Sequence, residues 1–263
     1  MKKNLKTVNT FEGDLFSWEH NGRTMLLEIW NDEFAQDPRK NDFNNFTTMF
    51  CFHDRLLLGD RRARSWDEAA DCLITFFNEK RKEDSLELLE SYIHKAEELS
   101  ESPDGFVERL AFFLKPSGIL VKPMYLYEHS QIVVSGSRVG RYPSPVGFVI
   151  AEKDRILDET GCTEDRWEEK AEAAIEREIE EYGYYFSEEV YGFTLYEKEG
   201  DGWKEIDRCA GFYGSDLRKN GILDYADGLL DAIENDSYIT GKLRTETVVI
   251  KHFDLDEKGE ASL

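Results

Sequence analysis

The sequence predicts an α+β fold, a mixed or mainly antiparallel sheet with amphipathic helices packed on it. Three observations predict it. Apolar residues recur at three- and four-residue steps over 85–99 and again over 164–182, the period of a helix with one buried face. Short β-branched and aromatic runs bounded by Gly and Pro cluster over 119–151 and 189–209. Strands and helices do not alternate regularly, which argues against a doubly wound parallel sheet. Hydrophobic residues at 40%, with 17 Phe, 12 Tyr and 5 Trp, place the chain among folded rather than disordered proteins. The 263 residues are read as a single α+β domain, 1–263, with a possible subdomain joint near 103–118.

Residues 1–23 are polar and carry no strong pattern. Thr24–Trp30 reads as a strand, Asn31–Asn45 as a solvated polar loop, and Phe46–His53 as a strand buried on both faces because it does not alternate. Ser65-Trp66-Asp67-Glu68 has the spacing of a capping box, in which Ser and Glu each satisfy a free backbone N–H. The helix it starts has Ala69, Cys72, Leu73, Phe76 and Phe77 on one face. The next carries Leu86, Leu89, Ile93 and Ala96. Ser102–Gly105 is a turn before a short helix over 106–114. Strands follow over 119–127, 131–135 and 146–151, with an exposed loop at 136–145. Thr163 is placed as the cap of a helix over 164–182, whose apolar stripe is Trp167, Ala171, Ala174, Ile175, Ile179 and Tyr182. Residues 189–198 and 203–209 form a hairpin about Glu199-Gly200-Asp201-Gly202. A helix over 222–233 and a strand over 246–253 complete the pattern.

The net charge of −22 disfavours direct nucleic-acid binding and an anionic membrane surface, both of which need clustered Lys and Arg. It permits a basic protein partner, including one that normally grips nucleic acid. No apolar run reaches the length of a membrane helix, and no leader follows Met1-Lys2-Lys3, so the expected location is the cytoplasm, with Cys51, Cys72, Cys162 and Cys209 reduced.

Phosphate-loop, dinucleotide, zinc-protease and nucleophile-elbow motifs are absent, as is CxxC spacing, so no cofactor and no metal are expected. The candidates for chemistry are His53, His129 and Cys209. They lie in Cys51-Phe52-His53, Tyr127-Glu128-His129-Ser130 and Asp207-Arg208-Cys209, which would supply an acid/base, thiol or metal-binding set if they met. The candidate binding surface is the acidic helix face of Glu164, Glu168, Glu169, Glu172, Glu176 and Glu180.

Several segments carry a resemblance in their order. They are Met49–His53 with Leu58-Gly59-Asp60, Leu126–Ser130, Val146–Val149, Glu178–Tyr185, Val190–Phe193 and Cys209–Gly214. Together they resemble a family of uncharacterised proteins encoded by bacteriophages, prophages and plasmids. The chain departs from that family at Arg138–Pro145, where relatives carry a Cys-Pro-Trp-Asp-Ser-Gly-like stretch, and at Ala210, where they carry Trp. The resemblance implies a mobile-element setting and a bacterial host cell, and supplies no activity.

Three functions are open at this point. The first is an accessory protein that binds a protein partner, such as a host defence or nucleic-acid-processing enzyme, as a counter-defence or DNA-mimic-like inhibitor. The second is an enzyme or metal-binding protein built on the Cys/His cluster. The third is a structural or assembly factor.

Overall fold

The computed structural model describes residues 5–8, 14–40, 45–56, 58–80, 83–128, 132–138, 144–235, 238–240 and 248–251. In chain order the strands and helices are β1 (Leu5–Val8), β2 (Asp14–His20), β3 (Arg23–Asn31), β4 (Thr47–Phe52), β5 (Arg61–Ala63), α1 (Ala69–Lys80), α2 (Glu83–Glu98) and α3 (Pro103–Leu114). There follow β6 (Ile119–Glu128), β7 (Ile132–Ser135), β8 (Ser144–Glu152), α4 (Lys153–Thr160), α5 (Trp167–Phe186), β9 (Val190–Glu199), β10 (Gly202–Tyr213), α6 (Leu229–Glu234), β11 (Tyr238–Thr240) and β12 (Val248–Lys251). The fold is α+β, and among the described strand pairs only β4 with β5 is parallel.

The chain divides into two compact units, one of Met1–Gln36 with Glu188–Leu263 and one of Asp37–Ser187. The 103–118 stretch lies inside the second unit, as α3 and the 3-10 turn after it.

The first unit holds a five-stranded sheet in the order β10-β9-β3-β2-β11. Trp18, Met25, Leu27, Ile29, Phe193 and Leu195 pack with Ile222, Ala226 and Leu229. The hairpin of β9 and β10 turns at Gly200, as its glycines predict. The predicted helix over 222–233 is instead a 3-10 turn at Ile222–Tyr225 and then α6, because the chain passes through a left-handed conformation at Gly228 between them.

The second unit is a three-layer sandwich around a sheet in the order β5-β4-β8-β6-β7. Phe50, Phe52, Val121, Phe148 and Ile150 face α1, α2 and α3. Met49, Cys51, Leu120, Met124 and Val149 face α4 and α5. β4 is therefore sandwiched, and all six of its residues are buried. Trp167, Ile175 and Ile179 are buried against the sheet at 8%, 1% and 3% exposure, as the spacing of α5 predicts. The Ser65 capping box does not form: the Ser65 side chain makes no cap hydrogen bond, Trp66–Glu68 is a 3-10 turn, and α1 begins at Ala69. Thr163 likewise leaves the backbone uncapped. Its hydroxyl bonds Asp165 instead and holds that carboxyl below its ordinary pKa.

Candidate functional site

The most developed polar cluster lies in the second unit and is built from the loop read as merely solvated. Asp37 accepts the Arg39 N–H at 2.9 Å, a local turn that sends the Arg39 side chain inward, where it is 2% exposed. Its guanidinium donates to Glu178 Oε2 at 2.6 Å, to the Thr47 carbonyl at 3.0 Å, and through Nε to Asp60 Oδ1 at 3.2 Å; its Nη2 also bonds Asp60 Oδ2. Glu178 Oε1 accepts the Phe46 N–H at 2.6 Å and Oε2 the Thr47 hydroxyl at 2.5 Å. Asp60 Oδ2 accepts the Met49 N–H at 2.8 Å.

Burial alone would lower the pKa of Arg39. The hydrogen bonds and charges of Asp60 and Glu178 outweigh it and raise the pKa, so the guanidinium stays charged. One turn beyond Glu178, the Tyr182 hydroxyl accepts the Gly59 N–H at 2.7 Å. Gly59 has φ +68°, and a Cβ there would lie 2.8 Å from Cys51 Sγ. Burial, helped by the charge of Asp60, pushes the Cys51 thiol up in pKa and keeps it protonated, which makes it a poor nucleophile.

Each oxygen of these two carboxylates already accepts at least one hydrogen bond. Neither is placed as a general base. The cluster instead ties the loop before β4, β4 itself, the loop after it and α5 together. Outside Asp60 is an open depression of about 590 Å³, lined by Arg61, Arg62, Glu68, Cys72 and Thr75 among others. Its cations are engaged within the protein, Arg61 with Glu79 at 2.5 Å and Arg62 with the Gly59 carbonyl.

Of the catalytic candidates, His53 sits at the end of β4 in the second unit. Its Nδ1 accepts the N–H groups of Arg55 and Leu56 at 3.2 and 3.0 Å, and its Nε2 is 3.9 Å from Glu128 Oε2. That pattern places the proton on Nε2, toward a carboxylate that Arg55 already holds at 2.9 Å. His129 lies outside the described residues. Cys209 belongs to the first unit, half-buried on β10 against its core. Among the described residues no group of three His, Cys, Asp or Glu side chains is arranged to hold a metal ion.

The acidic face of α5 is outward, as its spacing predicts, and Glu168, Glu172, Glu176 and Glu180 form a row at four-residue steps. Much of the face is paired within the protein. Glu164 meets Lys153 at 2.8 Å, Glu168 meets Lys115 at 2.8 Å, Glu172 meets Lys122 at 2.9 Å and Glu169 meets Arg166 at 3.0 Å. Glu180 accepts the Tyr184 hydroxyl at 2.7 Å. Glu176 is exposed and has no ion-pair partner among the described residues. Among the described residues no helix is long and apolar enough to cross a membrane. No protein-family model matches the chain, and neither does any curated protein or solved structure.

Proposed function

We propose that this is an acidic accessory protein of a mobile element that acts by binding a basic protein partner, of the kind a host defence or nucleic-acid-processing enzyme would offer. The observation that carries the reading is the carboxylate row on α5, presented by a helix whose opposite face is anchored at Glu178 and Tyr182. Anchoring matters because a charged surface that is already ordered loses little entropy when it is bound.

The row spans about 18 Å from Glu168 to Glu180 at 1.5 Å per residue. Its axial step of about 6 Å is wider than the 3.4 Å of helix axis per phosphate of one DNA strand. With Glu168 and Glu172 also sharing their charge with Lys115 and Lys122, the face imitates the sign of a nucleic acid more than its charge density. Its role in this reading is to steer the encounter, and close contacts elsewhere hold the complex.

The test is association kinetics with a partner captured from bacterial lysate and identified by mass spectrometry. The on-rate falls as salt rises, since exposed charges are screened over about 8 Å at physiological ionic strength. It falls again in the Glu168→Lys, Glu172→Lys, Glu176→Lys variant. An on-rate indifferent to both rejects the electrostatic mechanism, and turnover of a small molecule through His53, His129 or Cys209 rejects the binding reading altogether.

A further inference from the structure

The failed capping box leads to a second feature of the 37–187 unit. Trp66, displaced onto a 3-10 turn, lines a crevice of about 240 Å³ between the start of α1, the end of α2 and the start of α3. The other lining residues include Phe106 and the carboxylates Asp67, Glu97 and Glu101. Trp66 is backed by Phe52 at 4.8 Å and meets Phe106 edge-on at 6.5 Å, so the aromatic wall is itself packed in place.

We infer that this crevice takes an arginine side chain from a protein partner. Size is the first argument. The volume is below the roughly 300–1,000 Å³ of pockets for drug-sized ligands, and suits one long side chain.

Charge is the second argument. On α5 Glu168, Glu169 and Glu172 are met by lysines and an arginine of the same unit, whereas Asp67 and Glu101 have no ion-pair partner among the described residues and Glu97 has only His94, at 3.6 Å. The negative end of α2 is set here against the positive starts of α1 and α3, so it is the excess of carboxylates, and not the helix poles, that makes the crevice negative. An anion would find little here, because Pro103 has no N–H and the Gly105 N–H is taken by the Ser102 hydroxyl at 3.2 Å.

Shape is the third argument. A planar guanidinium can lie against an indole and fork to carboxylates, which a lysine ammonium cannot do.

The inference deepens the binding reading and rests on it for the partner being basic, but a free ligand tests the crevice separately. The probe is N-acetyl-arginine amide titrated into the full-length protein. The readout is the indole N–H resonance of Trp66, assigned by its loss in Trp66→Phe. The expected result is a saturable shift, weakened roughly three- to tenfold in the Asp67→Asn, Glu101→Gln variant, the effect of losing two exposed charges. The lysine amide binds more weakly. The α5 triple reversal leaves the titration unchanged while slowing partner association, so the two claims fail independently. The inference is overturned by a shift that never saturates, by an equal response to the uncharged norleucine amide, by a lysine amide that binds as tightly, or by full affinity in the neutralised variant.

Discussion

Replacing Glu178 tests whether the buried ion cluster holds α5 in place. Its side chain is 1% exposed and accepts from Arg39, the Phe46 N–H and the Thr47 hydroxyl. Glu178→Ala removes the acceptor of all three bonds at once. It leaves a guanidinium that is 2% exposed with Asp60 as its one carboxylate partner among the described residues. Breaking a buried pair in this way costs about 3–5 kcal/mol. For a unit of this size that is a fall in Tm of roughly 6–20 °C. Glu178→Gln keeps the volume and one acceptor oxygen but loses the charge and turns an NH2 toward a donor, so it should cost about 1–3 kcal/mol. Thr47→Val removes a single hydroxyl and should cost about 1 kcal/mol. Urea denaturation gives the three values, and hydrogen exchange of the α5 amides localises the loss to the 37–187 unit. The order Ala, then Gln, then Val is the signature of an ion cluster. A Glu178→Ala cost under about 1 kcal/mol would refute the reasoning, because a side chain so replaceable anchors nothing.

Other substitutions probe the same scaffold. A Cβ at Gly147 would stand 1.8 Å from the Phe50 carbonyl oxygen on the neighbouring strand, so Gly147→Ala should cost more than about 3 kcal/mol or abolish soluble expression, read by yield and circular dichroism. Ile175, 1% exposed under α5, should lose about 2–5 kcal/mol as Ile175→Ala in chemical denaturation. Glu181 carries a carboxyl raised from its ordinary 4.5, chiefly by burial, with Glu178 adding to the shift and Arg177 opposing it. A raised carboxyl lets the folded state hold its proton longer than the unfolded one, so its contribution favours folding at low pH and is lost as pH climbs from about 4.5 through the raised value. Glu181→Gln should then be neutral or slightly stabilising at pH 7 and should flatten the Tm-against-pH curve above pH 5. A destabilised Glu181→Gln at pH 7 would contradict that sign.

The fold was legible wherever a periodic apolar face decides the structure. α5, α2 and the β9–β10 hairpin follow from spacing and turn residues alone, and β4 announces its double burial by failing to alternate. β2 was not legible, because only Leu15 and Trp18 of its seven residues are buried and they do not alternate. α4 was missed for a related reason: of its eight residues only Ile156 is buried, so it has no stripe.

The ion cluster was the least legible feature. Arg39, Asp60 and Glu178 lie far apart in the chain and read locally as three solvated charges. Glu178 stands at the edge of the apolar stripe of α5, four residues before Tyr182, which is the one local hint that it points inward. The acidic face of α5 was found from spacing, but its internal pairing was not. Lys115 and Lys122 lie some fifty residues upstream, and only the sandwich brings them alongside.

The central claim is that the protein works by electrostatically assisted binding. The most direct measurement is the on-rate of the captured partner at low and raised salt, for the wild type and for the Glu168→Lys, Glu172→Lys, Glu176→Lys variant. The account predicts that wild-type association slows steeply with salt, and that the variant is slower at low salt and less sensitive to it, with dissociation little changed. Equal on-rates for the two proteins at every salt concentration would contradict it.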